Sequence, residues 1–168
     1  GIVMIKNEIA KMLVEQINKE LHSGYLYMEF ANFYEEKNFS GFAHWYMVQA
    51  GEEYEHAMKI RNFLIEAGQR VTLSAIEEPD KSFREIGDPL YAGLKHEQYI
   101  TASIYQIYEK ALDMHDHLTA EFLKWFIQEQ GEEETNAQNL IDRFERIGGK
   151  TGRGLHMLDM ELSKREDD

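Results

Sequence analysis

The sequence predicts an all-α fold: a four-helix bundle with one long crossover between helices two and three and a short fifth helix at the C-terminus. Three observations carry this prediction. Apolar residues recur at three- and four-residue steps nearly throughout the chain. Glycine, proline and short polar clusters cut it into four long segments and a tail. Between the second and third segments, Gln69 to Asp88 forms a stretch of about twenty residues without a clear helical stripe.

The first helix is expected from about Ile5 to Glu36, followed by "NFSG", Asn38 to Gly41, as a tight link. Ser40 stands as the N-cap of a second helix that ends near Gly68. Asp88 and Pro89 supply an N-cap and a first-turn proline for the third helix. The fourth begins after "DMHDH", Asp113 to His117, and "GGKTGRG", Gly148 to Gly154, ends it. In the tail, Leu155, Leu158 and Leu162 form the stripe of one short amphipathic helix. The bundle is thus expected over residues 5–147, and the glycine-rich link with its short helix over residues 148–168. A helix of about 27 residues is roughly 40 Å long, and twenty extended residues reach about 66 Å. The irregular stretch can therefore run the length of the bundle and return the chain to its starting end.

Composition narrows the function. A chain of 168 residues, 43% hydrophobic and 29% charged, suits one globular domain. No apolar run approaches the roughly 20 residues that cross a bilayer, so no membrane partner is expected. The N-terminal stretch lacks the basic and oily regions of a signal peptide, which leads us to expect a cytoplasmic protein. Gly1, ahead of Ile2, Val3 and Met4, reads as an expression remnant. The chain has no cysteine, which removes disulfides, thiolate metal sites and cysteine nucleophiles together. Any metal must be held by oxygen and imidazole, which suits iron, manganese or magnesium. The formal charge of −13 argues against nucleic acid as a partner and is compatible with small cations.

The helical stripes carry the chemistry. They run Ile9, Leu13, Ile17, Glu20, Gly24, Tyr27, Ala31 on the first helix and Tyr46, Gln49, Glu53, His56, Ile60, Phe63, Ala67 on the second. The third gives Leu90, Leu94, Glu97, Ile104, Tyr108, Ala111, and the fourth Phe122, Phe126, Gln130, Glu133, Ala137, Leu140, Phe144. Each is interrupted near its middle by acids or their hydrogen-bonding relatives, so Glu20, Glu53, Glu97 and Glu133 could meet at one depth. A lone Glu-x-x-His is ordinarily part of a solvated face; four helices making the same interruption are not so easily explained. Burying one unpaired carboxylate costs several kcal/mol, and gathering four adds repulsion. Two divalent cations balance four carboxylates beside a neutral imidazole. A hard carboxylate shell also favours iron(III) over iron(II), so such a site promotes oxidation by dioxygen. Glu53 and His56, three residues apart, lie on one helical face and can grip one metal.

At these residues the sequence resembles the non-haem bacterial and archaeal ferritins. The matching segments are "INKELHSGYLYM", "GFAHWYMVQAGEEYEHAMK", "LKHEQYIT" and "FLKWFIQEQGEEE", in order on all four helices. The resemblance implies a ferritin-like bundle with a di-iron ferroxidase centre in each subunit. It places Glu20, Glu53 and His56 on a first iron, with Glu53 bridging to a second held also by Glu97 and Glu133. Gln130 and Tyr27 match residues that orient ligands or oxygen species. Glu52, Glu129 and Glu132 match the acidic ligands of a third iron site, with Glu133 shared. The resemblance further implies oxidation of Fe(II) by dioxygen or peroxide, ferric oxyhydroxide storage and a homo-oligomeric shell of 24 copies. Twenty-four chains of charge −13 would carry roughly −300. The fifth helix would then pack near the four-fold axes.

The fourth helix carries Gln130-x-x-Glu133 in place of a second Glu-x-x-His, which sets the chain apart from bacterioferritins and rubrerythrins. On this resemblance, the acids that line the three-fold pores of animal ferritins fall on Ala120 and Leu123, so an acidic entrance of that kind is not expected. "DMHDH" reads as a solvated turn, and His22, His44, His96 and His156 as surface or packing residues. Tyr25, Trp45 and Trp125 read as core or subunit-contact aromatics. Met28, Met47 and Met58 read as packing residues, and no haem is expected. Two other functions fit the same stripes: a di-iron oxidase or peroxidase needing an apolar substrate pocket beside the metals, and a purely structural acidic helical protein.

Overall fold

The computed structural model describes residues 5–148 and 152–167. Gly1 and the middle of the glycine-rich link lie outside them. Among the described residues the chain forms five α-helices and no strand: α1 (Asn7–Glu36), α2 (Ser40–Glu66), α3 (Asp88–Asp113), α4 (His117–Arg146) and α5 (Arg153–Leu162). α1 packs along α2 and α3 along α4, while α1 also meets α3. Side chains close the α2–α4 side, where the Phe63 and Phe122 rings stack at 4.0 Å.

Three helices end the same way. Past α1, Asn38 takes a positive φ of 66°, and the N–H groups of Asn38 and Phe39 return to the carbonyls of Glu35 and Tyr34. Gly68 after α2 and His115 after α3 repeat the pattern, which satisfies carbonyls otherwise orphaned at a helix end. Asn and His tolerate this conformation better than most residues, so "NFSG" and "DMHDH" both make sharp reversals. Within the second, Asp116 is the N-cap of α4 and accepts hydrogen bonds from the N–H and hydroxyl of Thr119 at 3.0 and 2.6 Å.

Two expected caps are displaced. Ser40 is the first residue of α2, and the N-cap, Phe39, has no side-chain cap of its own. The carboxylate of Asp159 on α5 instead accepts the Phe42 N–H at 2.9 Å. Asp88 is likewise the first residue of α3, after N-cap Gly87. Its carboxylate turns back to accept the N–H groups of Arg84 and Glu85, both at 2.8 Å, fixing the turn that aims α3 into the bundle.

Residues 67–87 form the crossover. Asn18 donates to the carbonyl of Ala75 at 2.9 Å, and further along Tyr34 donates its hydroxyl to the carbonyl of Ile86 at 2.7 Å. Phe83 packs edge-on against Phe30 at 5.0 Å. The crossover therefore follows α1 in the same direction, and α3 starts level with the end of α1.

The interior consists of two apolar clusters. One, around Ile9, Leu13, Ile17, Ile60, Ile104 and Phe126, fills the end where α1 begins; the other, around Phe30, Tyr34, Phe42, Tyr46, Leu140 and Phe144, fills the opposite end and takes in Leu155, Leu158 and Leu162 of α5. Between them lies a buried polar layer. No helix among the described residues is long and apolar enough to cross a membrane.

Candidate metal centre

All four long helices contribute to the polar layer. α1 supplies Glu20 and Tyr27, α2 supplies Gln49, Glu53 and His56, α3 supplies Glu97, and α4 supplies Gln130 and Glu133. These residues sit on the inward stripes of helices held in register by the apolar clusters above and below. Glu20 is 0% exposed, Glu53 1%, Glu97 2%, His56 4% and Glu133 5%, so hardly any charge can be relieved by water.

Among the described residues, potential ligand atoms fall into three groups, each with all its atoms within 4.8 Å of one another: Glu20, Glu53 and His56; Glu53, Glu97 and Glu133; and His56, Glu129 and Glu133. Glu53 is common to the first two. The structure thus brings together the five residues read from the stripes. Of the further acids, half-buried Glu129 joins His56 and Glu133, whereas Glu132 is exposed and Glu52 pairs with Arg165 at 2.9 Å.

Neutral donors hold the carboxylates in place. Tyr27 donates its hydroxyl to Oε1 of Glu97, and Gln130 donates its amide to Oε2 of the same residue at 3.1 Å. Gln130 also donates to the Thr101 hydroxyl at 3.2 Å. Gln49 donates to Glu53 at 3.0 Å and to Glu133 at 2.5 Å. Gln49 stood on the stripe in the sequence without an assigned role; its spacing of four from Glu53 is the signal that could have found it.

Burial and mutual repulsion control the protonation of the layer. Burial, reinforced by the charges of Glu53 and Glu97, raises Glu20 well above the carboxylate range. Burial and Glu53 raise Glu97 to about 8, and burial with Glu97, Glu53 and Glu52 raises Glu133 to about 10. Glu53 goes the other way: burial opposes its ionisation, but His56 and the Gln49 amide outweigh burial and lower it. His56 is correspondingly raised, since Glu53 overcomes the effect of its own burial. Without metal, the layer therefore holds an ionised Glu53 beside His56 and keeps protons on Glu97 and Glu133 at neutral pH.

The donor set also fits a metal. Both carboxylate oxygens of Glu20, Oε2 of Glu53 and Nδ1 of His56 are buried without a hydrogen-bond partner. Nδ1 of His56 lies 3.4 Å from Oε2 of Glu53. The three residues that carry these orphaned atoms make up the first group, and a divalent cation is the electrophile that would satisfy them together. Hard oxygen donors with one imidazole suit iron or manganese.

The remaining candidates sit elsewhere. His96 contacts the Ser23 hydroxyl at 2.7 Å, and burial lowers its imidazole to about 4. His156 is exposed. Ala120 and Leu123 are buried in the apolar cluster. Tyr25 is exposed; Trp125 is also exposed and carries Lys59 over its ring at 3.7 Å.

Comparison with known proteins agrees with this arrangement. Residues 10–147 match the ferritin-like domain family. A bacterial non-heme ferritin of Campylobacter jejuni is 34% identical over 159 residues, covering 95% of both chains. One of Staphylococcus saprophyticus is 34% identical over 165 residues and 98% of both chains. Among solved structures, an engineered closed form of the Archaeoglobus fulgidus ferritin superposes with a TM-score of 0.95 at 35% identity, covering 98% of this chain and 99% of the other. The open-pore ferritin of the same archaeon gives 0.93 at 36% identity, covering 96% and 98%. The chain belongs to the ferritin family.

Proposed function

We propose that this protein is an iron-storage ferritin. It oxidises Fe(II) with dioxygen at a di-iron ferroxidase centre within each subunit and stores ferric oxyhydroxide in a shell of 24 copies. The observation that carries this reading is the sharing of Glu53 between two adjacent ligand groups. Such sharing suits two ions side by side, and two Fe(II) supply the two electrons that take dioxygen to the peroxide level.

In this reading Glu20 and His56 hold the first ion, Glu97 and Glu133 the second, and Glu53 lies between them. Gln49 and Gln130 orient the carboxylates, and Tyr27 steadies Glu97. Binding of the ions displaces the protons that Glu97 and Glu133 carry at neutral pH. Glu129, with His56 and Glu133, offers a third position toward which Glu52 and Glu132 would have to move.

Room beside the centre is small. The cavity lined by Tyr27, Tyr46, Gln49, Glu97 and Glu133 has about 10 Å³ for solvent, the space of about one water. That favours dioxygen over an organic substrate and speaks against the oxidase alternative. Self-assembly is supported by an exposed apolar groove of about 320 Å³ between α1 and α2, formed by Leu21, Tyr25, Met28, Met47, Tyr54 and Ile76. The descriptions of its archaeal relatives as open-pore and closed forms also suit a hollow assembly. A cytoplasmic location suits this chemistry, since Fe(II) persists in a reducing compartment.

Aerobic addition of Fe(II) to the purified protein, followed by size-exclusion chromatography, tests the proposal. Storage predicts iron co-eluting with a very large soluble particle. Precipitation at the rate of a protein-free control would overturn it.

A further inference from the structure

Beyond α5, the chain folds back across α2 and seats Arg165 beside the metal centre. Its guanidinium donates to the Trp45 carbonyl at 2.9 Å, to Oε1 of Gln49 at 3.0 Å and to Glu52 at 2.9 Å. It lies 4.1 Å from the Trp45 ring, and its own carbonyl contacts the His44 imidazole at 2.7 Å. The arginine is only 16% exposed. Four partners from one face of α2 thus fix a residue of the C-terminal tail.

The contact with Gln49 has a consequence for the carboxylates. A primary amide has one accepting and one donating end. Because Arg165 occupies the oxygen, the nitrogen must face inward, where it donates to both Glu53 and Glu133. In the flipped orientation the amide oxygen would point at the ionised Glu53 carboxylate, and its nitrogen at a guanidinium. We propose that Arg165 is a positioning residue of the metal centre. By fixing the orientation of Gln49, it holds Glu53 and Glu133 in the geometry that receives the metal pair. The inference deepens the di-iron reading and rests on it.

The sign of the effect separates positioning from simple charge. Removing a cation beside a cation site should strengthen metal binding by relieving repulsion. Removing the residue that orients the ligands should weaken it, by about tenfold on the scale of outer partners of metal ligands. A double-mutant cycle makes the distinction quantitative. Anaerobic Co(II) titrations of the assembled protein, followed by calorimetry and visible absorption, would compare wild type, Arg165→Ala, Gln49→Leu and the double variant. Gln49→Met replaces Gln49→Leu if the latter does not assemble. The expected result is that Arg165→Ala weakens the first two Co(II) ions about tenfold in the wild-type background and does not weaken them when Gln49 is absent. Crystals of metal-free Arg165→Ala should show Gln49 released from its single orientation toward Glu53 and Glu133. Binding that is unchanged or tighter in Arg165→Ala would overturn the inference, as would equal weakening in both backgrounds. Wild-type protein that took up no Co(II) would overturn the di-iron reading itself, and this inference with it.

Discussion

Asp159 of α5 accepts the backbone N–H of Phe42 in the first turn of α2, from a position 117 residues further along the chain. The carboxylate thus does for α2 what a local N-cap usually does. The contact is close as well as polar: a methyl group added at Gly41 would stand 1.7 Å from the Asp159 carbonyl oxygen. Asp159→Ala should therefore cost about 0.5–2 kcal/mol, the usual range for a lost cap. Gly41→Ala should cost about 1–3 kcal/mol, the usual range for overpacking, and lift α5 from the bundle. Thermal unfolding measures the first effect, and limited proteolysis of the C-terminal tail the second. Equal proteolysis of Gly41→Ala and wild type would show that the close approach is not needed.

Glu53→Ala and His56→Ala should each slow aerobic Fe(II) oxidation by roughly a hundredfold, since they remove ligands rather than their outer partners. Stopped-flow absorbance of the ferric product reads this rate. The metal-free Glu53→Ala protein should keep its fold, because His56, left without its partner, can shed its proton and stay neutral in the buried layer. Oxidation at the wild-type rate in both variants would support the purely structural reading.

Stability without metal should fall as pH rises. Glu97 and Glu133 are raised from the ordinary value of 4.5 to about 8 and about 10, and Glu20 and His56 are raised too. A group raised in the folded state contributes stability below its unfolded pKa and loses it as pH climbs through the folded value. Glu53, lowered by His56, has the opposite sign, but its loss falls below pH 4.5; His96, lowered by burial to about 4, opposes the trend only below its ordinary 6.5, where the raised carboxyls outnumber it. Between pH 5 and 9 the raised groups therefore dominate. Thermal midpoints of the chelator-treated protein should drop across this interval, and saturating Co(II) should flatten the slope. A midpoint rising with pH in the absence of metal would contradict the assignment.

The same protonation state predicts proton release. At pH 7, Glu97 and Glu133 must lose protons before they can bind a cation. Calorimetry of anaerobic Co(II) binding in buffers of different ionisation enthalpy should give a positive proton count per chain. Glu133→Gln should lower that count; an unaltered count would place the proton on another group.

Much of this was legible in the sequence because periodicity is local. Ile9, Leu13 and Ile17 lead directly to Glu20 on one stripe, and Gln49 and Glu53 lead to His56 on another, so both helices and their polar interruptions could be read by counting. What escaped was non-local. Ser40 has the right chemistry for an N-cap, yet the α2 terminus is satisfied by Asp159 from the far end of the chain. Asp88 lies at a helix start, but the turn before it competes for its carboxylate. Arg165 sits beyond the last periodic element, and nothing near it in sequence points to Gln49. The acids of "EQGEEE" also share one short run, and only three-dimensional placement separates Glu129, beside His56, from exposed Glu132.

The central claim is that the polar layer holds two adjacent metal ions bridged by Glu53. Diffraction from crystals soaked anaerobically in Fe(II), with anomalous data at the iron edge, tests it most directly. The account predicts two peaks, one among Glu20, Glu53 and His56 and the other among Glu53, Glu97 and Glu133. Iron bound only outside the bundle, with the interior carboxylates unliganded, would contradict it.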